Sequence, residues 1–397
     1  MKKRFLKDIA EIQTGPFGSQ LHKEDYVDVG TPIVTVEHLG SRVFSEQNLP
    51  MVSDTDKRRL SKYILKKGDI VFSRVGSVDR CSFVDKKHDG WMFSGRCLRV
   101  RPSEKVDSLF LYYFFCLNTT KEFVRSIAVG ATMPSINTKL LGEVEVVCPE
   151  IEEQRKIADI LSKIDDKIEE NLKINENLEQ QAQALFKSWF LNYEPWEGMA
   201  PNSWLHGKLG DYANIKRGGS PRPIQEYLSD SGLRWLKISD VTGLQTPFII
   251  DIKDHIIKEG LKKTVFLKAG SLVLSNSATP GIPKILDVDS CIHDGWLYFP
   301  ESKFSNEYLY LYFKYIRQQL VNLSNGSVFN NLKTDILKGY PTILPDEETL
   351  QRFDGIIKPM FLQMQNLTRE SHDLMDLRDT ILPRLMSGEI DVSGIQL

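Results

Sequence analysis

The sequence predicts an α+β protein built as a tandem repeat, in which each copy contains a mixed α/β domain followed by a long helix. Two observations carry this prediction. Short segments of similar sequence recur in the same order about 200 residues apart, and a helix-period run of apolar residues follows each set. With 397 residues, the chain is also long enough for two or three compact units. We therefore divide it into a first domain (1–150), a central helix (151–193), a second domain (194–345) and a distal helix (346–397).

The matching segments are the basis of the repeat. Six pairs keep their order with slowly drifting offsets: LKDIAEIQTG (6–15) with LGDYANIKRG (209–218), LKKGDIVFS (65–73) with LKAGSLVLS (267–275), HDGW (88–91) with HDGW (293–296), LYYF (111–114) with LYLYF (309–313), GATMPSIN (130–137) with GSVFNNLK (326–333), and LLGEVEVVCP (140–149) with ILKGYPTILP (336–345). Ordered matches of this kind are typical of duplication, and the drift marks loops of different length.

Within each copy, the pattern indicates short strands, turns and one buried helix. The segments DIVFS, EVEVVCP, SLVLS and PTILP have the length and β-branched content of strands. Residues 109–123 and 308–320 have the aromatic, helix-period pattern of a buried helix. The two HDGW segments place a histidine beside an aspartate at equivalent repeat positions, which could form an acid/base pair. An Asp-Gly turn flanked by aromatic residues favours a structural corner instead.

The two helices carry the spacing of a coiled-coil seam. In the central helix, seam positions 157, 161, 164, 168, 178, 182, 185 and 189 hold apolar or small residues. Positions 171 and 175 continue the same seam but hold Asn171 and Asn175, and an asparagine on such a seam fixes the register of the pairing. The distal seam follows 350, 353, 357, 360, 364, 367, 374 and 381, with Ser371 as its polar interruption. Pro359 and Pro383 predict that the distal helix is kinked or begins near 359. We expect the helices to pair with each other as an antiparallel coiled coil and also to bind partner helices.

Charge separates the domains from the helices. The whole chain carries a net charge of −2, but the first domain carries +4 and the second +2, whereas the central and distal helices carry −3 and −5. Mildly positive domains fit contact with a polyanion, and acidic helices fit contact with other partners. Ordinary variation among solvated surfaces gives similar numbers, so charge alone does not decide between these interpretations.

Several classes of protein are disfavoured by the sequence. It contains no GxxxxGK[ST] phosphate loop, HExxH zinc motif, GxSxG elbow or GxGxxG fingerprint, which argues against an enzyme. No two of the five cysteines have CxxC spacing, so we expect buried thiols in a reducing compartment and no metal site. The first residues do not form a signal peptide, and the longest strongly apolar run has nine residues, too few to span a bilayer. We expect a cytoplasmic protein.

Taken together, these features resemble the specificity (S) subunit of Type I restriction-modification systems along essentially the whole chain. The resemblance lies in LGDYANIKRGGSP, the domain ends GATMPSINTKLL and GSVFNNLKTDIL, the central EEQRKIADILSKIDDKIEENLKINENLEQQAQALFKSWF, and LMDLRDTILPRLMSGEI. It implies a non-catalytic chain in which each domain reads one half of a bipartite site in double-stranded DNA and the paired helices set the spacer. It also implies two modification (methyltransferase) subunits and restriction subunits as partners. S-adenosylmethionine, ATP and Mg²⁺ would bind those partners and not this chain.

Candidate DNA-binding residues lie on two loops of each copy, because donors on loops can enter a groove and glycines let backbone amides approach phosphate. They are Thr14, Gly15, Phe17, Gly18, Ser19, Ser73, Arg74 and Ser77 in the first domain, and Lys216, Arg217, Gly218, Gly219, Ser220, Arg222, Asn276, Ser277, Thr279 and Lys284 in the second. Arg74 could pair with guanine and Asn276 with adenine. Each residue could instead be an ordinary loop residue facing water. A coiled-coil adaptor whose repeated domains bind proteins is the open alternative.

Overall fold

The chain packs as two units, each of which joins one globular domain to a part of each long helix. The computed structural model describes residues 2–16, 18, 20–324 and 331–395. The first unit is Met1–Lys167 with Leu374–Leu397, and the second is Ile168–Asp373. The division made from the sequence separates helices from domains, whereas the packing assigns every half-helix to a domain. None of the described helices is long and apolar enough to cross a membrane.

The first domain contains two four-stranded sheets and a separate antiparallel strand pair, Lys2–Phe5 with Glu145–Cys148. Its strands are Lys2–Phe5, Ala10–Thr14, Tyr26–Val27, Thr31–Val34, Met51–Val52, Ile70–Ser73, Cys81–Phe83, Met92–Phe93, Cys97–Pro102 and Glu145–Cys148. Its helices are Leu6–Ile9, Asp54–Arg59, Ser108–Cys116, Asn118–Ser126 and Thr138–Gly142, with 3₁₀ turns at Lys23–Asp25, Val36–His38 and Ser61–Tyr63. One sheet is antiparallel, in the order 10–14, 97–102, 70–73, 81–83. The other has the order 26–27, 51–52, 31–34, 92–93, and its last pair is parallel.

The second domain repeats this plan with one more strand in each sheet. Its strands are Leu205–Lys208, Ala213–Arg217, Leu228–Ser229, Leu233–Leu236, Phe248–Ile249, His255–Ile256, Val265–Leu267, Leu272–Ser275, Pro283–Leu286, Ser290–Ile292, Trp296–Ser302 and Pro341–Leu344. Its helices are Leu209–Tyr212, Asn306–Ser324 and Thr334–Lys338, with 3₁₀ turns at Glu194–Trp196, Ile224–Glu226, Ile238–Val241 and Lys258–Lys263. One sheet has the strand order 213–217, 296–302, 272–275, 283–286, 248–249. The other has the order 228–229, 255–256, 233–236, 290–292, 265–267.

The strand registers confirm the repeat and correct one of its matches. Ser73 pairs with Cys97 in the first domain, and Ser275 pairs with Trp296 in the second. Because Ser73 and Ser275 end equivalent strands, Cys97 is equivalent to Trp296, and SGRC (94–97) is equivalent to HDGW (293–296). The first HDGW (88–91) lies one strand earlier, before Met92–Phe93. The prediction that the two HDGW segments are equivalent is therefore wrong, and their identity is a coincidence of sequence.

His88 and His293 consequently have separate structural roles. The His88 ring is buried, with Nδ1 2.6 Å from an Asp85 carboxylate oxygen and Nε2 3.2 Å from Glu46. It packs edge-on against the Trp91 ring, with centroids 4.5 Å apart. This His88 corner fits the structural interpretation of the motif better than an acid/base pair with the adjacent Asp89.

The aromatic helix of each domain begins at equivalent caps but continues differently. The Asp107 carboxylate accepts from the Leu109 and Phe110 N–H groups, and the Ser305 hydroxyl accepts from the Tyr308 N–H. The single helix predicted over 109–123 is broken at Leu117, whose ψ of 134° is extended. The chain resumes as a second helix, Asn118–Ser126. The counterpart Asn306–Ser324 continues unbroken, as predicted.

The predicted antiparallel pairing of the long helices is present in both units. The central helix is Ile151–Phe190 and the distal helix is Glu347–Met386, each with 40 residues. In the second unit, Asn171 contacts Glu370, whereas Phe190 packs on Phe353, so position rises along one helix as it falls along the other. In the first unit, Asp165 pairs with Arg378 at 2.7 Å, and Lys156 donates to the Ser393 carbonyl at 2.7 Å.

The seam in the second unit shifts by one residue relative to the predicted spacing. Both asparagines are buried on it, and the Asn175 amide donates to the Thr368 hydroxyl at 3.2 Å. Beyond them, the buried positions are 179, 182, 186 and 190, whereas 178, 185 and 189 are half-buried. In the distal helix, 361 and 368 are buried in place of 360 and 367. The sequence pattern passes over Glu179, because its burial depends on hydrogen bonds from Tyr310 at 2.6 Å and Lys314 at 2.7 Å.

The distal helix does not begin near 359, which corrects one of the two alternatives for its prolines. It begins at Glu347 and continues through both prolines. Pro359 and Pro383 lie on exposed positions, where the carbonyl groups four residues earlier can bond to water. The buried face of Phe353, Ile357 and Phe361 packs against the second domain and holds the first turns in place.

Candidate nucleic-acid interface

Three loops meet at one end of the antiparallel sheet in the first domain. The leading loop follows Thr14, a second loop follows Ser73, and the 94–96 turn precedes strand Cys97–Pro102. The Gly15 N–H donates to the Cys97 carbonyl at 3.2 Å, and the Arg74 N–H donates to the Arg96 carbonyl at 2.8 Å. We call these three segments the first loop cluster. It brings together candidate residues from both of the loops that the sequence singled out.

The second domain holds the equivalent set of loops, which we call the second loop cluster. Its leading loop follows Arg217, its second loop follows Ser275, and its turn is 293–295. The Gly218 N–H donates to the Trp296 carbonyl at 2.9 Å, and the Asn276 N–H donates to the Gly295 carbonyl at 2.8 Å. These bonds match those of Gly15 and Arg74, so the two clusters share one backbone frame.

Gly15 and Gly218, which begin the two leading loops, must be glycine for the same steric reason. A β-carbon at Gly15 would collide with the Ser94 carbonyl oxygen, and one at Gly218 would collide with the His293 carbonyl oxygen. Only glycine lets the leading loop lie this close to the turn. At Gly18, by contrast, an added β-carbon would have no atom of the described residues within 4 Å.

Arg74 and Asn276 occupy equivalent positions and make equivalent side-chain bonds. The Arg74 guanidinium donates to the Gly95 carbonyl at 3.2 Å, and the Asn276 amide donates to the Asp294 carbonyl at 3.2 Å. Their exposure differs. Arg74 is half-buried, whereas Asn276 is only 3% exposed. The prediction that Asn276 reads adenine is therefore wrong for this placement, since its amide lies inside the loop frame.

Two further candidates lie inside the domains and are corrected. Ser73 is 2% exposed, and its hydroxyl donates to the Val75 carbonyl at 2.7 Å. Lys284 is 4% exposed, lies within strand Pro283–Leu286, and donates to the Leu244 carbonyl at 2.7 Å and to the Thr246 carbonyl. Burial lowers the pKa of Lys284 to about 8. Neither side chain can reach a groove, because each closes a backbone turn from within.

The other candidates lie at or near the surface of the clusters. Gly18, Ser77, Lys216, Arg217, Arg222 and Thr279 are exposed or carry exposed side chains, Thr14, Gly219, Ser220 and Ser277 are half-buried, and Gly15 and Gly218 supply the close backbone contacts described above. Phe17 and Ser19 lie outside the described residues. The exposed set contains three cations, all of them in the second leading loop or the strand before it.

Asp294 organises the second cluster, and the sequence pattern missed it. Its carboxylate accepts from the Ser220 hydroxyl at 2.6 Å and lies 3.5 Å from Arg217 Nη2 and 3.6 Å from Arg222 Nη2. Burial raises the pKa of Asp294, but the Ser220 hydroxyl and the Arg217 guanidinium outweigh that effect and hold it below its usual value. The interpretation of HDGW as a corner hid this role, because only the strand register aligns Asp294 with Gly95.

The fold and the two loop clusters can now be compared with known proteins. A family model described as "Type I restriction modification DNA specificity domain" matches residues 1–180 and 201–365. The chain belongs to the Type I restriction-modification DNA specificity family. The two matched segments each contain one of the loop clusters, in agreement with the duplication. Family membership also confirms the resemblance that the sequence motifs predicted.

Individual relatives agree with this assignment. The chain is 26% identical over 413 residues to the "Type I restriction enzyme MjaIX specificity subunit" of Methanocaldococcus jannaschii, covering 98% of this chain and 93% of that protein. It is 25% identical over 406 residues to the "Type I restriction enzyme HindI specificity subunit" of Haemophilus influenzae, covering 83% and 88%. The crystal structure of a Type-I restriction-modification system S subunit from M. genitalium matches with a TM-score of 0.62 and 18% identity, covering 97% and 95%, and supports the fold.

Proposed function

We propose that this chain is the DNA-reading subunit of a Type I restriction-modification complex, and that each domain reads one half of a bipartite site in double-stranded DNA. The observation that carries the proposal is the pair of loop clusters, which share a backbone frame but differ in side chains. Glycine-bounded loops that present cations and backbone amides suit phosphate contact, and loop side chains suit base contact. The net positive charge of both domains supports the same ligand.

We assign the catalytic steps to partner subunits. The relatives of this chain are named specificity subunits. We propose that two modification (methyltransferase) subunits bind the two copies of the repeat, that restriction subunits complete the complex, and that S-adenosylmethionine, ATP and Mg²⁺ bind those partners. The acidic exposed faces of the two long helices are the surface we assign to them. We place the complex in the cytoplasm, where these subunits meet cellular DNA.

Methylome sequencing tests the central proposal. Cells with and without this gene, both carrying the modification subunits, are compared for adenine methylation. We expect methylation to disappear at one bipartite motif when the gene is removed. If no motif depends on the gene while the assembled complex binds a protein ligand, the adaptor alternative replaces the DNA-reading proposal.

Binding by the assembled complex then tests the two clusters separately. Duplexes carry the motif or single-base changes in either half, and affinity is measured by fluorescence anisotropy at several salt concentrations. Arg74→Ala should relax base preference in one half-site, and Arg217→Ala should act on the other half. Arg58→Ala, an exposed arginine on helix Asp54–Arg59, is the control and should leave both preferences unchanged. Uniform weakening by Arg74→Ala on all sequences would assign Arg74 to phosphate rather than to bases.

A further inference from the structure

A cavity of about 550 Å³ opens beside the first loop cluster, between the leading loop, the 94–96 turn and the 3₁₀ turn Val36–His38. Both polar and apolar side chains line the cavity. The polar side chains are Thr35, Glu37, Ser94 and Arg96, and the apolar ones include Leu21 and Val36. Small-molecule-sized concave sites of this kind combine apolar walls with a few polar groups that fix orientation.

The second domain fills the equivalent space with a side chain. Val34 pairs in parallel with Phe93, and Leu236 pairs in parallel with Ile292, so Ser94 is equivalent to His293. The His293 ring is largely buried, with 18% of its side chain exposed, and its Nε2 accepts from the Ile238 N–H at 3.2 Å. A histidine thus lies where the first domain has a serine.

The same equivalence identifies a backbone donor at the cavity. Val36 lies two residues after Val34, and Ile238 lies two residues after Leu236, so Val36 and Ile238 are equivalent. Val36 lines the cavity. Because His293 accepts from the N–H of Ile238, the N–H of Val36 is placed to donate into the space that the histidine occupies in the other copy. The Ser94 hydroxyl donates to the Cys97 sulfur at 3.6 Å, and the shorter serine side chain does not fill the space that a histidine ring would occupy.

A carboxylate acceptor lies next to this donor. Glu37 is exposed, and its Oε1 accepts from the Thr35 hydroxyl at 3.2 Å, which draws the carboxylate toward the cavity wall. The buried His38 side chain bonds to the turn that carries Val36 and Glu37. The Thr35 N–H donates to His38 Nδ1 at 3.0 Å, and His38 Nε2 lies 3.0 Å from the Gln47 carbonyl. The 3₁₀ turn therefore carries a backbone donor, the Val36 N–H, next to a carboxylate acceptor, Glu37, at the edge of the cavity.

We propose that this cavity binds the major-groove edge of one adenine, with the Val36 N–H donating to N7 and the Glu37 carboxylate accepting from the N6 amino group. An asparagine or glutamine side chain offers adenine the same donor and acceptor, and adenine alone combines these two groups in that order in the major groove. The inference rests on the proposed DNA-reading function and assigns a base specificity to the first domain. It makes Glu37 and Ser94 specificity determinants that the loop motifs do not contain.

Base analogues in the assembled complex test the inference. Each adenine of the half-site assigned to the first domain is replaced in turn by 7-deazaadenine, which lacks the N7 acceptor, or by guanine, which replaces the amino group with a carbonyl. We expect one position at which either change weakens wild-type binding about tenfold, the loss expected when one of two paired bonds to a base is removed. Glu37→Ala should abolish the adenine-over-guanine preference at that position. Ser94→His should fill the cavity and make binding insensitive to 7-deazaadenine there.

Matched controls separate the possible failures. Glu104→Ala removes an exposed carboxylate of the same domain that does not line the cavity, and it should change no base preference. Wild-type complex without any half-site preference would defeat the DNA-reading function itself. Normal half-site preference with no adenine sensitive to both analogues, or with an unchanged preference in Glu37→Ala, would overturn only the adenine assignment. Glu37→Ala changes an exposed side chain, so its result does not depend on whether Ser94→His packs correctly.

Discussion

The two loop clusters differ in how they hold their charges, although their backbone frames are the same. In the first cluster the turn reads Ser94-Gly95-Arg96, a cavity opens beside it, and Arg96 is exposed. In the second cluster the turn reads His293-Asp294-Gly295, the histidine occupies the space, and the aspartate gathers two arginines. The comparison shows that the frame is set by backbone bonds between the strand ends. Side chains on the frame can therefore change specificity with little effect on packing.

The largest expected difference between the domains is in the stability that one buried ion pair contributes, next to the strands that carry the loop clusters. In the first domain, Asp69 is buried and binds the Arg101 guanidinium through two bonds, at 2.7 and 2.6 Å. The register places Ser271 at the position equivalent to Asp69 and Glu301 at the position equivalent to Arg101, so the second domain lacks this ion pair. Asp69→Asn should destabilise the first unit by about 3 kcal/mol, because it leaves a partly buried arginine without its partner. Chemical denaturation with hydrogen exchange to localise the loss measures this effect.

The matched variant in the second domain is Ser271→Ala, which we expect to change stability by less than about 0.5 kcal/mol. Loss of protection confined to the first unit in Asp69→Asn supports the difference between the domains. Equal destabilisation of the two units by Asp69→Asn would show that they unfold together. It would contradict the prediction that this ion pair stabilises the first unit alone.

The leading glycines test whether the two frames are equivalent. Gly15→Ala and Gly218→Ala should each cost about 1–3 kcal/mol, because the new methyl group collides with a backbone carbonyl that cannot move aside. Each should also weaken binding to one half-site only. Gly18→Ala, where the methyl group meets open space, should leave stability unchanged. A large loss at one glycine and none at the other would contradict the shared frame.

The sequence predicted most of the fold because repetition and apolar period are local signals. The duplication, the antiparallel pairing and the buried asparagines at 171 and 175 all followed from spacing. Spacing predicted position 182 correctly but misplaced 178, 185 and 189 on the seam, since the burial of Glu179 depends on Tyr310 and Lys314 from a distant part of the chain. The spacing of apolar residues predicts an exposed position for a carboxylate such as Glu179, and its burial follows only from partners that are distant in sequence.

The candidate site could be predicted at the level of loops but not of individual side chains. Glycines and cations selected two loops that lie side by side in each domain. Ser73, Asn276 and Lys284 nevertheless face inward, because turn geometry that residue type does not reveal decides their orientation. Asp294 was hidden by a misleading identity, because the two HDGW segments matched in sequence while the strand register aligns 94–97 with 293–296. The sequence analysis also passed over Glu37 and Ser94, since neither lies on the loops that it chose.

Lys284 makes the stability of the second domain depend on pH at a position where the first domain has Ser82, which does not titrate. The folded-state pKa of Lys284, about 8, lies below its unfolded value of about 10.4. The unfolded chain therefore binds more protons between these values. Stability from this group is fully present above the unfolded pKa and is lost as the pH falls through the folded pKa.

Unfolding of the second unit, measured at about pH 7.5 and about pH 9.5, tests this contribution. Relative to Lys284→Met, the wild-type free energy of unfolding should rise by on the order of 1–2 kcal/mol across that interval. Lys268→Met, which removes an exposed lysine of the same domain, should follow the wild type. A wild-type rise no larger than that of Lys284→Met would mean that the buried ammonium titrates normally, and the contrast with Ser82 would lose its electrostatic basis.

The smallest expected effect sharpens the contrast between the clusters most directly. Asp294→Asn keeps the shape of the turn but releases the charge that holds Arg217 and Arg222. Binding to DNA of unrelated sequence should strengthen by roughly two- to fivefold, because the repulsion between the carboxylate and phosphate is partly screened by solvent. The released arginines should also make the dependence of affinity on salt steeper by about one to two phosphate contacts. Since wild-type Asp294 orients these arginines, preference for the cognate half-site should fall at the same time. If Asp294→Asn instead strengthened cognate and unrelated DNA by the same factor, the aspartate would act only as a surface charge, and the second cluster would read DNA without the arginine arrangement that distinguishes it from the first.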